Sequence, residues 1–335
     1  MYPGDFDGIV AGAPAMQSNN LSSWSGNFYK LTGDVNSTSF IPLPLWNVIG
    51  ADVLRQCDGL DGAVDGIIED PELCIYRPEA LICGAANTTV GVNCLTAAQV
   101  ETVRGIFSPL YGNNGTIVFP AMQPGSEVNG AQYIYYTGMP FPYTSDWYRY
   151  AVYNNPNWDP ATLNPNDYDN AARINPGNIS TWEGDLSAYE NRGGKILHYH
   201  GQADQIITSF NSPRYYDFVS RTMGLSSSKL DDFYRFFRIS GMGHCAGGPG
   251  AWMIGQTGAG NATLAPEANV LMAMVQWVEK GTAPEYVQGT KYVNDTASAG
   301  VSLVRKHCKY PTRNHYIGGP VGEASSWACQ PAYGA

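Results

Sequence analysis

Two side chains in this sequence stand where proton-transfer chemistry would be done. Asp204 closes the run Lys195–Asp204 (KILHYHGQAD), and His244 stands near the end of Phe233–Cys245 (FYRFFRISGMGHC). Each run is a short apolar segment passing into a polar turn, the pattern of a strand that delivers one side chain at its carboxyl end. A histidine held by a carboxylate takes a proton from a hydroxyl and returns it to a leaving group. The carboxylate sets the ring tautomer and stabilises the imidazolium. The two are 40 residues apart, which leaves room for one helix and one strand and places both at one edge of a parallel sheet. Gly241 and Gly243 allow the histidine turn to bend sharply. The plainer alternative makes Asp204 a turn residue and His244 a buried, hydrogen-bonded loop histidine.

A carboxylate followed by a histidine matches the second and third members of the chain order Ser, Asp, His found in α/β-hydrolases. The first member belongs upstream on a strand-to-helix elbow, yet the sequence contains no G-x-S-x-G. Cys245 as a nucleophile for its neighbour His244 is disfavoured, because adjacent turn residues rarely aim at each other. His198 and His200 alternate along one strand and share a face but lack a third ligand, while His307 and His315 lie near the C-terminus. All four are expected to be structural.

A second constellation occupies residues 56–71, QCDGLDGAVDGIIEDP, where Asp58, Asp61 and Asp65 are each followed by a glycine. Calcium takes six to eight oxygens from carboxylates and carbonyls on a sharply turning loop, which such a segment offers. The spacing is not that of an EF-hand, and a solvated Asp-Gly turn explains the pattern equally well.

Positioning these groups requires an α/β core. Residues 5–14 (DFDGIVAGAP) read as a buried parallel strand, strands follow at 195–200 and 233–239, and a helix lies around Pro213–Met223. The clearest helix is Pro266–Lys280, with Gly281 at its C-terminal cap and Val270, Met274, Trp277 and Val278 facing the sheet. Between the strands, residues 15–44 read as surface connections, Leu45–Cys57 as a helix, and Thr96 with Gln99 as a capping box opening another. Residues 112–192 are rich in Asn, Pro, Tyr and Trp with little period, which is the texture of an inserted cap whose aromatic rings form its own core. The expected architecture is an α/β-hydrolase core, a mostly parallel sheet with flanking helices, carrying a large inserted lid. The core would comprise 1–15 and 193–335, and the lid 16–192. Residues 282–335 read as a tail stapled by Cys308 and Cys329. Residue 1 leads straight into a core strand and is read as an internal position of a longer parent.

A net charge of −10 with only 19 Lys and Arg argues against nucleic acid or anionic membrane as a partner. No apolar run is long enough to span a bilayer. The cysteines fall into the local couples Cys57 and Cys74, Cys83 and Cys94, and Cys308 and Cys329, with Cys245 left over. Such irregular spacing suits disulfides in an oxidising compartment better than zinc. Glycosylation sequons at Asn20, Asn36, Asn87, Asn114, Asn178, Asn261 and Asn294 likewise point to a secreted, extracellular glycoprotein, the alternative being accidental matches on an Asn-rich surface.

Taken together, FDGIVAGAPA, CDGLDGAVDGIIEDP, NPNWDP, HGxxD and GMGHC resemble the tannase/feruloyl esterase family of α/β-hydrolases over nearly the whole chain. The resemblance implies a secreted serine esterase for aromatic acid esters, with phenolic-polysaccharide or tannin substrates. Asp204 and His244 would be the second and third triad members, and the serine would lie upstream in a C-S-x-G-G elbow. It implies a disulfide from Cys245 to a cysteine beside that serine. It also implies a structural Ca²⁺ held by the side chains of Asp58, Asp61 and Asp65 and the carbonyls of Ala63 and Ile67. Without the serine, this segment alone is expected to be inactive. The competing class is a non-catalytic, calcium-stabilised extracellular binding module, or an inactive truncated product.

Overall fold

A computed structural model describes residues 2–84, 92–256 and 263–331 of the protein. The sequons at Asn87 and Asn261 lie outside the described residues. Strand β1 (Gly8–Gly12) is followed by a small antiparallel pair, β2 (Leu110–Tyr111) and β3 (Ile117–Phe119). Then β4 (Lys195–Gly201) and β5 (Tyr234–Ile239) complete a parallel sheet of order β1-β4-β5. The register sets Gly12 beside Tyr199 and Gly201 beside Ile239, so β4 and β5 end level with each other. The alternation of β-strand side chains sorts the two faces. On one, Leu197, Tyr199, Phe237 and Ile239 pack with residues of Val270–Lys280; on the other, Tyr234 and Phe236 pack against Tyr216 and Val219 of Asn211–Met223. Helices on both faces of a parallel sheet make the core of an α/β-hydrolase.

The second core lies wholly within the segment between β1 and β4. Its longer helices are α1 (Ser18–Thr32), α2 (Leu43–Cys57), α3 (Ala97–Ile106) and α4 (Pro165–Ile174). Trp24 and Phe28 of α1, Trp46 and Ile49 of α2, and Val100 and Val103 of α3 are buried together with Tyr135, Tyr136 and Tyr148. Trp46 stacks on Tyr136 at 4.5 Å between ring centroids, so several cap aromatics form the cap's own interior. Tyr133, Tyr143 and Tyr150 remain exposed. The Thr96 and Gln99 capping box is formed in both halves at the start of α3.

Several expectations are corrected. Residues 15–44 are not merely surface connections, since α1 occupies much of them. Its small serines allow close packing: Ser23 and Ser25 return their hydroxyls to the Asn19 and Leu21 carbonyls, and Ser23 also meets the Tyr148 hydroxyl at 2.7 Å. Within the aperiodic 112–192 region, Asn164 and Asp167 form a capping box around Pro165 that starts α4. β1 is half-buried rather than fully buried, because among the described residues only β4 pairs with it. With α5 (Asn211–Met223) assigned, the last helix is α6 (Val270–Lys280), which starts later than expected. Asn269 caps it by accepting from the Leu271 and Met272 amides, while Pro266–Ala268 form a separate short turn. Val278 lies against Gly8 of β1 as expected although it is 39 % exposed, and Ala273 joins Val270, Met274 and Trp277 in the core.

The tail is built of strands. β6 (Tyr286–Tyr292) pairs antiparallel with β7 (Val301–Cys308), and β8 (Thr312–Tyr316) with β9 (Trp327–Pro331). The Cys308–Cys329 disulfide joins β7 to β9. Arg305 on β7 is buried beneath the Trp327 ring, 3.6 Å from its centroid, and donates to Glu69 and Asp65 at 2.7 Å each. Burial raises the pKa of Glu69, and Arg305 opposes that shift, so the guanidinium compensates acids that would otherwise be costly to bury. Arg305→Ala leaves those carboxylates uncompensated and should lower unfolding free energy by about 3–5 kcal/mol in urea titrations. A loss below about 1 kcal/mol would contradict this role of Arg305.

Candidate active site

β4 ends at Gly201, and the chain turns so that Asp204 sits fully buried beneath the carboxyl edge of the sheet. Its Oδ1 accepts the backbone N–H groups of Ile206 and Ile207 at 2.7 and 2.9 Å. β5 ends at Ile239, and the Gly241–Gly243 turn carries His244 over the same edge. The two turns touch so closely that a Cβ on Gly201 would collide with the Met242 and Gly243 carbonyl oxygens. His244 Nδ1 donates to Asp204 Oδ2 at 2.9 Å, and the His244 backbone N–H donates to Gln205 Oε1 at 3.0 Å. The structure thus brings the two expected residues together as an oriented acid–base pair.

Electrostatics follow from this geometry. Burial alone would raise the Asp204 pKa, but hydrogen bonds from His200 and His244 outweigh it and bring it down to about 2. The Asp204 hydrogen bond raises the His244 pKa against the opposing effect of burial. The His244 side chain keeps 32 % exposure, and its Nε2 has no hydrogen-bond partner among the described residues. A base with one nitrogen fixed and the other open is poised to take a proton from a group brought to it.

Cys245 is free, next to this base, with a left-handed backbone at φ 57°. Burial and the nearby Asp204 charge push its thiol up to about 11, so it remains protonated and unsuited to attack. The other cysteines form the disulfides Cys57–Cys74, Cys83–Cys94 and Cys308–Cys329. Sequence reasoning missed the residues that clamp the Asp204 turn from the cap. Gln123 Nε2 donates to the Asp204 carbonyl at 2.5 Å, Asn129 Nδ2 to the Ala203 carbonyl at 2.8 Å, and Tyr135 to the Ile206 carbonyl at 2.7 Å. Their positions in an aperiodic stretch give no periodic signal. His200, expected to be merely structural, reaches Asp204 Oδ2 at 3.2 Å.

The Asp-rich loop is also a defined structure. Asp58 accepts the amides of Asp65 and Gly66, Asp61 Oδ1 accepts the Ala63 amide, and Asp65 Oδ1 accepts the Ile67 amide. Asp65 Oδ2 is taken by Arg305. Asp61 Oδ2 is buried with no partner, and burial, with smaller contributions from Glu69 and Asp65, pushes its carboxyl up to about 7. An orphaned carboxylate oxygen in a tight acidic turn suits a hard cation. Among the described residues no three His, Cys, Asp or Glu side chains converge as a cage, so an ion here would also need backbone carbonyls.

The pair makes one direct prediction. In Asp204→Asn the interaction that raises the His244 pKa is lost while burial, which lowers it, remains. An NMR titration of the His244 ring should therefore give a lower pKa than in the parent, and an unchanged or higher value would contradict the assignment.

Comparison with known proteins gives the family. Residues 1–330 match the family described as "Tannase and feruloyl esterase". The chain is 54% identical over 329 residues to a probable feruloyl esterase B-1 of Aspergillus flavus, covering 98% of this chain and 62% of that protein. It is 53% identical over 331 residues to a probable feruloyl esterase B-2 of Neosartorya fischeri, with the same coverage. The crystal structure of feruloyl esterase B from Aspergillus oryzae superposes with a TM-score of 0.94 at 51% identity, covering 98% of this chain and 65% of that one. A tannin acyl hydrolase from Aspergillus niger shares the fold, with a TM-score of 0.71 at 20% identity. The chain thus spans about three fifths of the length of the curated relatives it matches. By sequence and by structure, the chain belongs to the tannase and feruloyl esterase family.

Proposed function

We propose that residues 1–335 supply the acid–base half of a carboxylic ester hydrolase for aromatic acid esters, of the feruloyl or galloyl type. One observation carries this reading: His244 Nδ1 is engaged by the ionised Asp204 while Nε2 meets no partner among the described residues. The names of the relatives support the substrate class. A serine from sequence outside residues 1–335 attacks the ester carbonyl as His244 Nε2 takes its proton. The tetrahedral intermediate collapses, and the imidazolium returns that proton to the departing alcohol. Water then attacks the acyl-enzyme by the same base, releasing the aromatic acid and restoring the serine. Asp204 stays ionised throughout and holds the ring. A disulfide from Cys245 to a cysteine near that serine ties the nucleophile to the base, a reading supported by Cys245 being the one cysteine left free by the three disulfides.

A structural Ca²⁺ is part of the proposal, drawing the side chains of Asp58, Asp61 and Asp65 and the Ala63 and Ile67 carbonyls together around it. It is supported by the orphaned Asp61 oxygen. The Cys57–Cys74 disulfide encloses this loop, which limits its freedom before the ion binds. The disulfides, together with the exposed sequons at Asn36, Asn114, Asn178 and Asn294, support a secreted, glycosylated protein.

In the full-length parent, His244→Ala should reduce turnover of methyl ferulate and methyl gallate by about 10³-fold or more. Near-parent turnover would sink the esterase reading in favour of a non-catalytic binding module. Calcium removal by chelation should lower the melting temperature by roughly 5–10 °C, reversed by adding Ca²⁺. An unchanged melting temperature would remove the ion from the account.

A further inference from the structure

Beneath the Asp204–His244 pair lies a chain of buried polar side chains to which the proposed mechanism gives no part. His200 Nε2 lies 3.2 Å from Asp204 Oδ2 and 3.1 Å from the Ile207 carbonyl oxygen. Its Nδ1 lies 2.6 Å from Ser212 Oγ, which in turn lies 2.9 Å from His198 Nε2. His198 Nδ1 lies 2.9 Å from the Tyr234 hydroxyl. His200 and Ser212 are fully buried, and His198 and Tyr234 are 2 % and 1 % exposed. Strand alternation puts both histidines on the α5 face of β4, where the first turn of α5 brings Ser212 between them.

The donors and acceptors allow one arrangement for neutral imidazoles. His200 Nε2 faces two acceptors, a carboxylate oxygen and a carbonyl oxygen, so it carries the proton. Its Nδ1 is then bare and accepts from Ser212, whose oxygen accepts from His198 Nε2. His198 Nδ1 accepts from Tyr234. Burial holds His198 well below the ordinary histidine pKa, as a neutral ring requires. Every hydrogen bond in the series therefore points toward Asp204, and each polarises the next. His244 donates to the same Oδ2 from the solvent side.

We propose that His200 is a positioning residue of the active site, the last link of a one-way chain Tyr234→His198→Ser212→His200 that orients the Asp204 carboxylate toward His244. This deepens the ester-hydrolase reading and rests on it. His200 does not touch substrate; it acts through Asp204. A carboxylate shared between two imidazoles spreads its charge over both, so removing His200 concentrates that charge on His244. The His244 imidazolium is then held more tightly, and the acid limb of activity moves to higher pH. Among the described residues, the remaining titratable groups facing the pair are Tyr135 from the cap and Cys245 beside His244. Both have pKa values raised by burial and by the Asp204 charge, so they stay protonated through neutral pH and do not produce that limb.

The test uses the full-length parent with His200→Leu, His200→Gln and Ser212→Ala. It compares kcat and KM for methyl ferulate, the acid limb of the kcat/KM profile, and the downfield proton resonance of His244 Nδ1–H. His200→Leu should lower kcat about 10- to 100-fold with KM little changed, short of the ~10⁴-fold loss expected when the triad acid itself is disabled. It should also shift the acid limb upward and displace the His244 resonance. His200→Gln, whose amide can again donate to Asp204, should restore most of each. Ser212→Ala keeps the imidazole and should move the same readouts to a lesser degree, which serves if His200→Leu fails to fold. A fall in melting temperature with unchanged kcat, acid limb and resonance in the variants that fold would overturn the proposal and leave His200 purely structural. Should His244→Ala prove as active as the parent, the esterase reading fails separately. The His244 resonance then decides alone whether His200 positions Asp204.

Discussion

The structure turns on one buried charge. Asp204 is fully excluded from solvent, and an ionised carboxylate in that position is tolerated only if its oxygens are saturated with donors. Two backbone amides satisfy Oδ1, while His200 and His244 share Oδ2. Without any of these donors Asp204 would take up a proton, which would deprive His244 of the interaction that sets its tautomer. The sheet exists, in functional terms, to end β4 and β5 level with each other so that these donors converge.

The cap and the tail serve the same constraint at longer range. Gln123, Asn129 and Tyr135 reach from the cap to carbonyls of the Asp204 turn, so the turn is held from the side opposite the sheet. The cap's core of Trp24, Phe28, Trp46 and Tyr136 makes that hold rigid, because close-packed aromatic interiors yield little. At the far end, Arg305 bridges the tail strands to Asp65 and Glu69, fastening the Asp-rich loop to the body of the protein.

Much of the site was legible in the sequence because it follows from local rules. Short apolar runs ending in polar turns located Asp204 and His244, and the glycines at 241 and 243 marked the sharp bend. Cysteine proximity identified each of the disulfides found. What was illegible depends on contacts between distant segments. A serine-rich stretch concealed α1, since its buried face mixes the polar Asn19, Ser23, Ser25 and Thr32 with Trp24 and Phe28 and so shows little apolar period. The N-x-x-D signal at Asn164 and Asp167 was present for α4 but lay in an aromatic, aperiodic region. Alternation placed His198 and His200 on one face, yet nothing in the spacing showed that Ser212 would stand between them or that His200 would reach Asp204. Arg305 gave no hint of its buried partners more than two hundred residues upstream.

The central proposal is that Asp204 and His244 serve as orienting acid and base for a serine supplied from outside residues 1–335. Mapping the adduct formed when the full-length parent reacts with an aryl phosphonate ester tests that claim most directly. The account predicts phosphonylation of a serine outside residues 1–335, with labelling strongly slowed in His244→Ala. An adduct on Cys245 or on any hydroxyl within residues 1–335, or labelling indifferent to His244, would contradict it.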